Sequence, residues 1–146
     1  MMMSRFNASD GSVDWTRRYD ISEYNGESPI ELVAHNGKLF AYGFTLIGNR
    51  DLWLMQLDQE GTILQTKGYP LDGSANVYLR ANQQLFVNDT GIQLLTSLSN
   101  PGGQPRTGMV LSLDNNGQSN NECLVIEDLT VEVSSLANGW TDISLE

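Results

Sequence analysis

The sequence predicts an all-β fold of antiparallel strands. Three features point to it: short stretches of alternating apolar and polar residues, turn signals between them, and segments that match one another in the same order about fifty residues apart. Successive side chains of a strand face opposite ways, so alternation with period two is what a half-buried strand requires.

Phe6 to Gly11 reads as the end of a strand and its turn, so the chain opens inside a repeating unit. Four strands are expected next, at Ile30–Ala34, Lys38–Thr45, Asp51–Leu57 and Thr62–Lys67, with Asn36-Gly37 and Gly48-Asn49 as turn signals. The second of these carries Phe40, Tyr42 and Phe44 on one face. The third is almost continuously apolar, as a strand buried on both faces must be. A second set is expected at Leu85–Asn88, Ile92–Leu98, Met109–Leu113 and near Cys123–Ile126, turning at Thr90-Gly91 and Asn116-Gly117. Val77 to Arg80 is an extra apolar run, read as an insertion or an added edge strand. Asn100 to Pro105 reads as a flexible loop, and Thr130 to Ser134 alternates like a strand.

The internal matches are detailed. Gly11–Tyr19 lies over Gly61–Tyr69 without a gap, agreeing at glycine, β-branched, threonine, basic and tyrosine positions. Leu57–Gly61 lies over Leu113–Gly117, Trp53-Leu54-Met55 over Met109-Val110-Leu111, and Glu31–Val33 with Gly37 over Leu85–Val87 with Gly91. Antiparallel four-stranded meanders in tandem are what propeller blades look like from sequence. The expected architecture is therefore a partial β-propeller, with a β-sandwich as the alternative. Residues 1–118 hold two such units in offset register, at 12–61 and 62–117 after a partial start. Residues 119–146 hold a terminal strand and then a tail or the start of another β-module. Two units cannot close a ring, so further repeats or sister chains are expected to complete it.

Asp51 to Gly61, followed by Ile63 to Tyr69, is similar to the Asp-x-Trp/Tyr-Leu-x-x-Leu-Asp-x-x-Gly-x-x-x-Trp-x-x-x-Tyr unit of large secreted bacterial proteins. These proteins carry tandem propeller-like repeats and are common among Bacteroidetes surface and gliding or secretion-associated proteins. Asp14-Trp15-Thr16-Arg17-Arg18-Tyr19 matches the Trp-basic-Tyr end of that unit, whereas Gln65 and Met109 replace its aromatic residues. The resemblance spans residues 3 to 118. It implies an extracellular or cell-surface scaffold, adhesion or appendage role.

Charge narrows the partners. Eighteen acidic against eight basic residues give a formal charge of -10, which repels phosphate backbones and anionic lipid, so nucleic acid and membrane insertion are not expected. One cysteine, Cys123, allows no intrachain disulfide, and the chain as it stands has no apolar leader and no apolar run long enough to span a bilayer.

The conspicuous residues read mostly as architecture. Asp58 and Asp114 each precede a glycine, Gly61 and Gly117, by three positions. That spacing suits a turn whose carboxylate accepts backbone N–H groups and whose glycine takes a positive φ. Asp114, Asn116 and Glu122 are the weak candidates for calcium, but their spacing is not that of a calcium loop, and no cofactor is expected. Trp15 and Trp53 fall at fixed strand positions and read as packing between sheets; the alternative is sugar stacking. Trp140 lies in a polar segment and is the stronger candidate for contact with a protein or glycan partner. His35 reads as a surface loop residue, Cys123 as a small buried residue of the last strand, and Arg17 and Arg18 as a solvated strand edge. No nucleophile elbow and no clustered His, Cys or carboxylate spacing is present, so the expected chain is not an enzyme. The leading expectation is a structural or interaction module of a large extracellular assembly, bound to other copies of itself or to flanking repeats. A carbohydrate-binding propeller is the alternative.

Overall fold

A computed structural model describes residues 1–22, 26–45, 51–70, 76–77, 84–99, 107–120 and 124–136. Within them the chain is all-β, with antiparallel sheets and no helix. The strands are β1 (Met2–Phe6), β2 (Val13–Ile21), β3 (Glu27–His35), β4 (Lys38–Thr45), β5 (Leu52–Asp58), β6 (Ile63–Tyr69), β7 (Asn76–Val77), β8 (Gln84–Asn88), β9 (Gly91–Ser99), β10 (Thr107–Leu113), β11 (Glu127–Asp128) and β12 (Val131–Ser135).

They form three sheets. The first is β1-β2-β12, the second β11-β6-β5-β4-β3, and the third places β10 on one side of β9 with both β7 and β8 on the other. The second sheet is the middle layer, and its composition follows from that position. Leu52 and Leu54 of β5 face a core shared with Leu85, Ile92, Leu94, Leu111 and Leu113 of the third sheet. Trp53, Met55 and Leu57 face the opposite core, shared with Tyr19 and Ile21 of the first. A strand buried on both faces needs apolar residues at consecutive positions, which is why β5 does not alternate. Buried aromatic side chains such as Trp53, Tyr42 and Phe44 remove about 150–250 Å² each from water, roughly 4–6 kcal/mol apiece before the entropy of ordering.

Two expectations from the sequence are corrected. The strand expected near Cys123–Ile126 is not formed: Leu124–Ile126 are irregular, Leu124 and Ile126 tuck their side chains against the core, and Cys123 lies outside the described residues. β2 is not a strand edge, because β1 covers one side and β12 the other, so Arg17 and Arg18 sit in the middle of a sheet. Beyond Ile126 the chain runs back across the molecule, and the strand-like alternation of Thr130 to Ser134 falls on β12. Asp128 pairs with Lys67 at the outer edge of β6, and Val131 to Ser135 pair with Ile21 to Arg17 along β2. Leu129 and Val131 bring apolar side chains to the core between the first and second sheets, which holds this return in place.

Of the extra run at Val77–Arg80, Val77 belongs to β7, paired with Leu98; the remainder, the loop Asn100–Pro105, Glu122 and Trp140 lie outside the described residues.

Candidate functional site

The sheets meet at two seams, and both are tied by the turn between a third and a fourth strand. At the seam of the first and second sheets the Tyr19 hydroxyl donates to Gly61 O at 2.7 Å. At the seam of the second and third, Tyr69 donates to Gly117 O at 2.9 Å. A second pair of contacts matches as well: Arg5 Nη1 donates to Gln59 O and Gln56 Nε2 to Asn115 O, both at 2.9 Å. Glycine is required at both turns. Gly61 has φ 75° and Gly117 φ 69°, and an added Cβ would stand 2.8 Å from the Tyr19 hydroxyl or 2.9 Å from that of Tyr69. Gly11 occupies the corresponding turn of the first sheet with φ 74°, yet a Cβ there would meet nothing within 4 Å. The Gly11 turn is one residue longer than the other two, its N–H bonding Asn7 O where those of Gly61 and Gly117 bond Asp58 O and Asp114 O, and no tyrosine among the described residues reaches it.

The turn aspartates do the work their spacing suggests. Asp58 Oδ1 accepts the Thr62 N–H at 2.7 Å, and Asp114 Oδ1 accepts those of Asn116 and Gln118 at 2.8 and 2.9 Å. The calcium candidates therefore divide: Asp114 faces its own turn, Asn116 supplies a backbone donor to it, and Glu122 is not described. Among the described residues no group of three or more His, Cys, Asp or Glu side chains is placed to hold a metal.

Burial pushes the hydroxyl pKa values of Tyr19, Tyr42 and Tyr69 upward, with Asp58, Glu31 and Asp114 respectively adding to the rise and Arg17 opposing it at Tyr19. All three hydroxyls stay protonated and donate.

The seams differ toward β3 and β4. Between the second and third sheets, Tyr42 donates to Leu95 O at 3.0 Å and Glu31 Oε2 accepts the Leu85 N–H. Asp89 Oδ1 takes hydrogen bonds from Asn36 at 2.7 Å and from His35 at 3.0 Å, and Asn36, then His35, hold its carboxyl below the usual aspartate range. His35 is thus the last residue of β3 and a tie between sheets, not a loop residue. Its role was hidden because the partner, Asp89, is 54 positions away.

At the other seam the first sheet, among the described residues, supplies no strands opposite β3 and β4. What remains is a cleft of about 350 Å³ lined by Met3, Arg5, Trp15, Leu32, Leu39 and Gln59. A neighbouring hollow of about 320 Å³ runs along Met1 to Ser4 and Ile30 to Leu32. Leu32 is 52% exposed there. Trp53 is wholly buried, with its ring against Gly43, where a Cβ would come within 2.4 Å of it. Trp15 lies at the cleft with its Nε1 donating to Gln59 O at 3.3 Å and the Arg17 guanidinium 5.7 Å from its ring centre. The structure therefore separates the two tryptophans that the sequence paired. No helix of the described residues is long and apolar enough to cross a membrane. Comparison with protein-family models, curated proteins and solved structures found no match to the chain.

Proposed function

We propose that the chain is a non-enzymatic structural and interaction module, a run of propeller-type blades completed by further blades in a large assembly. Its place is outside the cell or at the cell surface, in keeping with the bacterial repeat proteins it resembles. One observation carries the reading: the same tyrosine-to-turn lock closes two successive seams, and the glycine turn of the first sheet, at Gly11, meets no tyrosine among the described residues. Repeated junctions between like units are what an array presents. The mass of the native particle, isolated without denaturation and measured by light scattering, tests it. The expected result is a species well above the 16.2 kDa of one chain. A monodisperse particle of one chain, with no protein bound, contradicts it.

Carbohydrate binding is the second reading, favoured by the position of Trp15 beside a cleft between sheets. The Arg17 group over the indole competes for the face on which a sugar would stack. A glycan array that stays blank, together with a Trp15→Ala variant that loses only stability, would remove it.

A further inference from the structure

Both faces of the second sheet meet a neighbour, whereas the outward face of the third sheet is built differently. The strand registers give the equivalent positions. Leu54 lies opposite Tyr42 and Gln56 opposite Phe40, as Val110 lies opposite Leu95 and Ser112 opposite Gln93. The correspondence continues into β3 and β8: Val33 is opposite Phe40 as Phe86 is opposite Gln93, and Glu31 is opposite Tyr42 as Gln84 is opposite Leu95.

Across these positions the outward face loses what holds the second sheet to the third. Where the second sheet turns Phe40, Phe44 and Leu52 to its neighbour, the third has Gln93, Ser97 and Gly108. Each aromatic ring replaced removes about 150–250 Å² of surface that a further blade could bury. Each glutamine or serine in its place would have to be buried with its polar atoms paired. The ties are missing as well. Gln56, whose amide donates to Asn115 O, is answered by Ser112, whose side chain is too short to span a seam. Tyr69, whose hydroxyl donates to Gly117 O, is answered by Val125, which follows Gly117 at the distance at which Tyr69 follows Gly61. Val125 is exposed, in a segment that forms no strand. Leu95 and Val110 are neighbours on this face, with Phe86 nearby, but Gln84, Gln93 and Ser112 surround them. An apolar patch of that size is ordinary on a protein surface.

Resting on the reading of the chain as an array of blades, we infer that the third sheet is its cap: the outward face takes no further blade and stays in water. A terminal unit with a polar outer face is what keeps a stack of repeats soluble and stops it from adding units without limit. The array is therefore an open stack that ends at this sheet, and it does not close into a ring through it.

Hydroxyl-radical labelling of the native particle, isolated without denaturation and weighed by light scattering, tests the cap. Three phenylalanines of the chain are the probes. Phe86 should be labelled while Phe40 and Phe44 are spared, in proportion to exposures of 47%, 3% and 2%. Protection of Phe86 to the level of Phe40, in a particle of more than one chain, overturns the cap and leaves the array reading standing. A particle of one chain sinks the array reading, and the cap with it. As a second measurement, Phe86→Lys combined with Val110→Lys should leave the mass of the particle unchanged, because both side chains already face water. A fall in mass overturns the cap.

Discussion

The two seams of this molecule are alike in one half and different in the other. Near the turns each has a tyrosine bonded to a glycine carbonyl and a long polar side chain, Arg5 or Gln56, bonded to the carbonyl two residues earlier. Near β3 and β4, among the described residues, only the seam of the second and third sheets continues, through Tyr42, Glu31, His35 and Asn36. The seam of the first and second sheets opens there into the cleft. The lock is thus local to one turn and one strand and forms wherever those are present. The other half needs the two strands that precede them.

The largest test of this contrast lies in the shared core. Trp53→Ala should cost about 3–5 kcal/mol in chemical denaturation, since the indole is fully buried between the first and second sheets. Next come the turn glycines. Gly61→Ala should cost roughly 2–3 kcal/mol, combining a positive φ with a clash against Tyr19 and Trp15, while Gly11→Ala should cost only the roughly 1 kcal/mol of the φ. Equal losses at the two positions would mean that a side chain stands against the Gly11 turn. Tyr19→Phe and Tyr69→Phe should each lose about 1 kcal/mol, by orphaning a buried carbonyl; a markedly larger loss at one would break the equivalence of the locks.

Alkaline titration is gentler. Folding raises the tyrosine pKa values above the unfolded value of 10.0. Their contribution is therefore complete below pH 10 and is lost as the pH climbs from there through the raised folded values. Denaturation midpoints should be flat from pH 8 to about 9.5 and fall beyond. The smallest effect is expected on the outward face of the first sheet: Met2→Ala and Phe6→Ala, at residues 58% and 62% exposed, should stay within about 0.5 kcal/mol.

Much of the middle of the fold was legible in the sequence. β4 spans the expected residues, and β5 and β6 depart from expectation by one or two residues at their ends, because period-two patterning and glycine turns are local signals. Superposing Gly11–Tyr19 on Gly61–Tyr69 brought out the positions that form the locks, although nothing in the pattern said that the tyrosine of one unit would bond to the turn of the next. The return of the tail was illegible. Val131 pairs with Ile21 across 110 positions of chain, and β11 is two residues long, too short to show any period. The expected strand at Cys123–Ile126 failed for a related reason: Leu124 and Ile126 are spaced for a strand but are buried as a connection. Of the candidate site, Trp15 and the turn residues were visible as residues; the cleft was not, because it is formed between strands of two sheets, bringing Met3 and Arg5 beside Leu32, Leu39 and Gln59.

The central claim is that, among the described residues, the first sheet pairs β1 on one side only, where the second sheet pairs β5 on both. Residue-resolved amide exchange on the chain alone, at a concentration where light scattering gives the mass of one chain, tests it most directly. Alternate amides of β1, those turned away from β2, should exchange orders of magnitude faster than the amides of β5, which is paired on both sides. Protection along the whole of β1 equal to that of β5 in such a sample would contradict the claim.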